Sequence, residues 1–311
     1  MQYLTGYLLF VKFLLANYMR NVKSIIKPYL YILPSFLFLV SLTIYPLGFS
    51  LFYSFNNWNL QTSPVPLGFV GFENYINAFK DPTFTHSLIN TLRLSIIATL
   101  IEFLFGLGIA LLLNISLKGS SLVRALLIMP TTVAPIVVGF IFRYLYYRDG
   151  LITYLLSSIG VRVPKEGILG STKTAIWGII FTDVWEWTPF FAIILLAGLK
   201  SIPDEIIEAA RVDGANFFQI FWHIMLPHLR FVSSIVIMIR FMTVFNLFDI
   251  IYVETMGGPG TSTRTLSYNL YYEGLVNYNI GYSTAIAWIM IFIILILINL
   301  FIPIAFKGKE I

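Results

Sequence analysis

Six long apolar runs, each bounded by polar or Gly/Pro-containing stretches, dominate the pattern along the chain: Tyr29 to Phe52, Leu92 to Ile115, Ala125 to Tyr147, Thr174 to Gly198, Phe231 to Val253 and Thr284 to Phe306. A helix needs about 20 apolar residues to cross a bilayer core of about 30 Å. The pattern therefore predicts an all-α, polytopic integral membrane protein with six transmembrane helices. No repeat period relates the runs, and none is of low complexity. Between the fourth and fifth lies the amphipathic stretch 199–230, LKSIPDEIIEAARVDGANFFQIFWHIMLPHLR. Ser201 followed three residues on by Asp204 fits a capping box, Pro203 is tolerated in a first turn, and Asp204 and Glu205 suit the positive end of a helix dipole. The spacing predicts a short helix from Pro203 to Val212, a left-handed stop at Gly214 and a second amphipathic helix ending near Pro227. Ile206, Ala209 and Ala210 share one side of the first helix, which marks it as a docking element.

Composition narrows the class. Of 311 residues, 58% are hydrophobic and 11% charged, with a mean hydropathy of +0.83. Soluble domains carry about 25% charged residues. A soluble enzyme, a disordered chain and a collagen-like chain are excluded. The net charge of +5 sits beside the apolar runs and reads as a topology signal, not as a nucleic-acid surface. With the N-terminus inside, the inner segments hold eleven basic residues (Lys12, Arg20, Lys23, Lys27, Lys118, Arg124, Lys200, Arg211, Arg230, Lys307, Lys309). The outer segments hold seven (Lys80, Arg93, Arg148, Arg162, Lys165, Lys173, Arg264), so the balance favours N-in, C-in. There is no cysteine, and His86, His223 and His228 are scattered, so no thiolate or histidine metal constellation exists. Tyr3 to Tyr18, interrupted by Lys12, reads as an interfacial helix; a start at Met19 stays open. The organisation is then an N-terminal cytoplasmic or interfacial segment (1–28), a first transmembrane helix (29–52), an outer loop (53–91), a core (92–306) carrying the loop 199–230, and a tail (307–311).

Ionisable groups inside membrane spans are costly and mark function by default. Glu102 falls in the second run, Asp183 and Glu186 in the fourth, Arg240 and Asp249 in the fifth, while Arg143 is near enough to an outer end to snorkel. Arg240 paired with Asp183 or Glu186 is the structural expectation. Glu102 lies in the stripe Ala98, Glu102, Gly106, Ala110, which reads as close helix packing. The surplus of carboxylates favours a neutral polyol over an anion. In a continuous fifth helix, Phe245, Asn246, Asp249 and Tyr252 share a face, and the fourth offers Asp183, Glu186, Trp187 and Phe190. Rings cover the apolar face of a pyranose while amides and carboxylates take its hydroxyls. Helix-to-helix polar packing is the equally weighted alternative. Gly257, Gly258, Pro259 and Gly260 form a turn-rich outer segment.

The loop also carries a family resemblance. Glu208, Ala209 and Ala210, then Asp213, Gly214 and Ala215, then Ile224, Leu226 and Pro227 match the EAA loop of ABC importer permeases. Trp187, Pro189, Phe190, the run Leu195 to Leu199 and FDIIYVETMGGPGTSTRTL from Phe248 to Leu266 resemble the carbohydrate permeases of the maltose/sn-glycerol-phosphate, binding-protein-dependent type. Val70 to Tyr75 with Asp81, Pro82, Phe84, Asn90 and Thr91 extends the likeness. The resemblance implies the ABC type-1 (MetI-like) permease fold and a subunit of an ATP-driven importer for a mono- or oligosaccharide in the cell membrane. It implies a second homologous permease, a cytoplasmic ABC ATPase present as two copies or a pair, and an extracytoplasmic sugar-binding protein. ATP and Mg belong to the ATPase; no cofactor or metal belongs to this chain, and the chain itself is not an enzyme. Glu208, Ala209, Ala210, Asp213, Gly214 and Pro227 would couple to the ATPase, with Glu208 pairing a basic residue there. Gly257, Gly258 and Pro259 would face the binding protein. Asp249 and Tyr252 belong to the family's recurrent FD.IY pattern.

A contrasting reading is an ion-gradient-driven secondary transporter or channel, which shows internal repeats more often and leaves the EAA pattern unexplained. A membrane-embedded enzyme lacks a catalytic set. GILGSTKT at Gly167 to Thr174 has Thr172 where a phosphate-binding loop needs glycine.

Overall fold

A computed structural model describes residues 27, 29, 31–115 and 119–306. The expected interfacial helix over Tyr3 to Tyr18 lies outside these residues. The chain divides into two units, Met1–Tyr53 and Ser54–Ile311. The first unit carries an apolar helix, α1 (Tyr31–Ser54), whose last residue begins the second unit and which contains a π turn at Val40–Ile44.

The second unit opens with a small hairpin, β1 (Asn56–Asn57) paired antiparallel to β2 (Gly68–Phe69), and α2 (Glu73–Lys80). Then comes α3 (Pro82–Asn114), whose first turn is capped by the Asp81 carboxylate accepting from the Thr83 amide at 2.8 Å, with Pro82 at a position that needs no donor. The second apolar run is thus a continuous helix extended ten residues upstream. The third is not. It splits into α4 (Ser120–Ile128), a 3₁₀ turn at Met129–Thr132 and α5 (Pro135–Leu145), bent by 92°. Pro130 and Pro135 remove two backbone donors where a straight helix would use them. After α6 (Leu151–Ser158), α7 (Ala175–Lys200) is the fourth span, followed by the short α8 (Asp204–Val212).

The expected break near Pro227 is absent. α9 (217–245) runs through it by way of a π turn at Phe221–Met225, so the second amphipathic helix and the fifth span are one element. The break falls instead at 246–248, before α10 (Asp249–Glu254). α11 (Leu266–Tyr271) and the last span, α12 (Ile280–Phe306), complete the unit. Among the described residues five helices are long and apolar enough to cross a membrane, six if α4 and α5 count as one bent span.

Helices α3 and α7 pack at the closest range. A Cβ added to Gly106 would overlap Phe191 Cβ, and Ala98 and Ala110 are fully buried, as the small-residue stripe predicts. One apolar cluster joins Leu107, Ala110, Phe191, Leu195, Leu199, Leu229 and Val236 across α3, α7 and α9. A second joins α3, α7, α10 and α11 through Leu94, Ile179, Ile250, Ile251 and Tyr268. Phe245 belongs to a third, with Phe84, Phe241, Leu266 and Ile286.

Candidate functional site: a docking helix, a buried ion network and an open polar face

The end of α8 is built by backbone geometry. Gly214 takes φ +83°, a left-handed value that costs a β-carbon-bearing residue about 1–2 kcal/mol. The Ala215 amide then bonds Ala210 O at 2.9 Å and the Gly214 amide bonds Arg211 O at 3.0 Å, the paired bonds of a glycine-terminated helix. Its start differs from the expected capping box. Pro203 is the N-cap and makes no side-chain bond; the Ser201 hydroxyl donates back to Gly198 O at 2.7 Å and lies 3.1 Å from His228 Nε2. A capping box does form one turn of chain later, where Asn216 and Gln219 cap each other's backbone at 3.0 and 2.8 Å.

The helix has two apolar sides. Ile207 and Ala210 are half-buried against the α3–α7–α9 cluster, alongside Ile202, Ala215, Ile220 and Met225. Ile206, Ala209 and Val212 are exposed, Val212 by 87%. Ala210 therefore faces the bundle, and the outward side is Ile206, Ala209 and Val212. Glu208 is exposed and lines a cavity of about 490 Å³ with Lys200, Asp204 and Arg211. Pro227 is exposed in α9, and Asp213 caps α8.

Inside the spans, Arg240 is the hub. Its Nε and Nη2 donate to the two oxygens of Glu102, each at 2.9 Å, and Nη2 lies 2.6 Å from Asp183 Oδ2. Its Cζ sits 4.7 Å from the centre of the Trp187 ring. The sequence anticipated Asp183 but not Glu102, whose carboxylate crosses from α3 to α9 while its neighbours serve packing. Glu186 is fully buried, with neither oxygen hydrogen-bonded among the described residues. Arg143 does not snorkel: its Nη1 donates to Val253 O at 2.8 Å, tying α5 to α10. A second buried network was not foreseen. Thr182 Oγ1 donates to Glu254 Oε1 at 2.8 Å and lies 3.2 Å from the Tyr146 phenol oxygen, and that phenol donates to Gly178 O at 3.0 Å. Glu254 sits one residue beyond the fifth apolar run, which ends at Val253, and nothing in the spacing points it at Thr182.

The break at 246–248 changes the expected sugar-suited face. Phe245 is fully buried and turned into the α12 side of the core, while Asn246 and Asp249 are exposed and Tyr252 half-exposed. The four residues do not share one face. Asn246 donates to Met242 O at 2.9 Å, closing the end of α9. Asp183, Glu186 and Trp187 gather instead around Arg240, with Trp187 half-exposed and edge-on to Phe190 at 6.0 Å.

Beyond α10 the chain turns through Gly257 (φ +80°), Gly258, Pro259 and Gly260 (φ +61°). Gly257 is buried against Tyr268, whereas Gly258 and Pro259 are half-exposed. The turn is fastened rather than loose. Thr263 donates to Gly258 O at 2.8 Å, Asn90 donates to Thr261 O and Arg264 O at 3.1 Å each, and Thr91 accepts from the Leu266 amide at 2.9 Å. Asn90 and Thr91 thus anchor the outer segment to α3.

These features define a multi-pass helical membrane protein whose bundle carries a short helix, α8, with one apolar side packed and another exposed. The chain belongs to the family of binding-protein-dependent transport system inner membrane components, whose model matches residues 102–307. Among its relatives, a probable ABC transporter permease of Sinorhizobium fredii is 36% identical, over 86% of this chain and 85% of that protein. The trehalose/maltose transport system permease protein MalF of Thermococcus litoralis is 37% identical over 70% and 74%. The sulfoquinovosyl glycerol transport system permease of Agrobacterium fabrum is 34% identical over 83% of each chain. A bacterial ABC transporter that imports the acidic polysaccharide alginate shares the fold, with a TM-score of 0.79 at 20% identity over 94% of this chain and 99% of that one.

Proposed function

We propose that this chain is the permease subunit of an ATP-driven sugar importer in the cytoplasmic membrane, oriented N-in, C-in. It would form the translocation path with a second permease, receive sugar from an extracytoplasmic binding protein and take its power from a cytoplasmic ABC ATPase. ATP and Mg are held by that ATPase. Relatives named for trehalose/maltose and sulfoquinovosyl glycerol support the sugar class.

The observation that carries the coupling role is the two-sidedness of α8. Ile207 and Ala210 are packed into the apolar cluster that also contains α3, α7 and α9, so a force applied to the exposed Ile206, Ala209 and Val212 reaches the spans through packed side chains. Glu208 and Asp213 supply charges at the rim for basic partners, and Gly214 sets the turn that presents them. Pro227 lies exposed inside α9, the helix that continues from the loop into the fifth span. Gly258 and Pro259, half-exposed beside the buried Gly257 that sets the turn, form the outer surface offered to the binding protein.

Substitutions Glu208→Lys and Gly214→Asp in the native importer test this reading. Each is expected to cut ATP-driven uptake about tenfold at normal membrane abundance, since Glu208→Lys reverses a charge at an interface, at about 2 kcal/mol or more, and Gly214→Asp puts a β-carbon into a left-handed turn, at about 1–2 kcal/mol. Unchanged uptake in both variants would remove the coupling role. The unwound stretch 246–248 beside Asp249 is a feature shared with ion-coupled carriers. Uptake that persists after deletion of every ATPase partner would favour that second reading.

A further inference from the structure

Between the last turns of α3 and the first turns of α9 the bundle leaves a groove of about 840 Å³. Gly108, Leu111, Leu112 and Ile115 of α3 form one wall, and Phe217 and Ile220 of α9 form the other. Both walls are ends of membrane spans, so the groove lies at the depth where hydrocarbon gives way to headgroups. The exposed rings of Phe217, Phe218 and Trp222, on the same first turns of α9, suit that level. The groove is open at Gly108, where an added Cβ would meet nothing within 4 Å.

Its polar end is α8. Ile207, Glu208 and Arg211 share the side of α8 turned away from Ile206, Ala209 and Val212. Arg211 borders both this groove and the adjoining cavity of about 490 Å³, and it makes no hydrogen bond or ion pair among the described residues. The adjoining cavity adds Lys200, Asp204 and Glu208, so charges of both signs meet at one end of an apolar slot. Small-ligand sites have this form, an apolar cavity of about 300–1,000 Å³ with a few convergent polar groups. A soluble ion would leave the apolar walls bare, and a plain hydrocarbon would leave the charges unanswered. An amphiphile satisfies both.

We infer that the groove binds one phospholipid of the leaflet on the α8 side, with an acyl chain between α3 and α9, its phosphate at Arg211 and Lys200 and an ammonium at Asp204 and Glu208. Charge complementarity selects the headgroup. Phosphatidylethanolamine carries a phosphate beside a primary ammonium and so answers both signs. Phosphatidylglycerol leaves the two carboxylates without a cation, and the quaternary ammonium of phosphatidylcholine has no N–H to donate to them. The bound lipid touches α3, α8 and α9 together, on the side of α8 opposite its outward apolar side, and therefore braces the joint between α8 and the spans. The inference rests on the membrane-spanning fold alone and is independent of the cargo.

The test is native mass spectrometry of the assembly that purifies with this chain from the native host, delipidated in detergent and titrated with each of the three phospholipids. The wild type is expected to hold one phosphatidylethanolamine above the background of weakly bound lipid, about fivefold or more tighter than phosphatidylglycerol. Gly108→Phe places a ring in the slot and should abolish this site. Arg211→Gln should weaken it about fivefold, the size of one lost basic contact. Arg211 is exposed, so this variant still decides the matter if Gly108→Phe does not reach the membrane. Unchanged affinity in Arg211→Gln, or equal affinity for the three phospholipids, would overturn the inference. Lipid held by the isolated chain but not by the assembly would overturn it too, by assigning the groove to a neighbouring subunit.

Discussion

At the scale of single residues, the most consequential side chain is Arg240. It is 1% exposed, and a guanidinium so placed is tolerated only because Glu102 holds it through two bonds and Asp183 through a third contact. Such a network does little for stability as a whole, but removing one member strands a charge. Glu102→Leu or Arg240→Met alone is therefore expected to destabilise the protein by about 3–5 kcal/mol, while the double variant Glu102→Leu/Arg240→Met should recover a large part of the loss. Thermal unfolding of the detergent-purified chain measures this. A double variant as unstable as the sum of the singles would mean that the pair is not coupled in this way. The sequence disclosed that Arg240 needed an acid but not which one. Asp183 and Glu186 were the candidates, yet the bidentate partner comes from α3, 138 positions earlier in the chain. The direct packing of α3 against α9, beside α7, brings it there.

Elements were legible where periodicity and hydropathy decide them and illegible where the backbone departs from a straight helix. The α8 stop at Gly214 followed from local chemistry; its start fell near Pro203 as expected, although the capping box of Ser201 and Asp204 does not form. The unwinding at 246–248 has no proline or glycine to announce it; hydropathy continues unbroken through Phe245, Leu247 and Phe248, so the predicted common face of Phe245, Asn246, Asp249 and Tyr252 dissolves. The 92° bend was better signalled, by Pro130 and Pro135, but run length alone hid it. The α3–α7 contact yields a prediction at this scale. An added Cβ at Gly106 collides with Phe191 Cβ and crowds the Ala192 amide at 3.1 Å, whereas Gly108, two residues on, has nothing within 4 Å. Gly106→Ala is expected to cost about 1–3 kcal/mol through overpacking. Gly108→Ala should be neutral or slightly stabilising, because alanine is the better helix former. Equal melting shifts for the two would show that the helices do not meet at Gly106.

For the whole molecule, everything proposed about coupling depends on which side of the membrane α8 faces. The excess of inner basic residues, eleven against seven, is a modest bias, and the outward apolar side of α8 has a function only if it lies with the ATPase. The absence of any cysteine makes the orientation directly measurable, since a single introduced thiol is the only one in the chain. Val212 at the end of α8 is 87% exposed, and Val65 in the segment between β1 and β2 is 61% exposed, so a thiol at either position should be reachable without unfolding. Val65→Cys is expected to react with a membrane-impermeant maleimide in intact cells stripped of any outer layer. Val212→Cys should stay unlabelled there and react in inside-out vesicles. If an ATPase sits on Ile206, Ala209 and Val212, labelling of Val212→Cys should also rise when peripheral subunits are stripped with urea, because removing a bound partner uncovers the same side. The reverse labelling pattern would place α8 outside and end the coupling reading, however well its residues match the family. Correct sidedness with no effect of stripping would keep the topology and move the ATPase contact away from this side of α8.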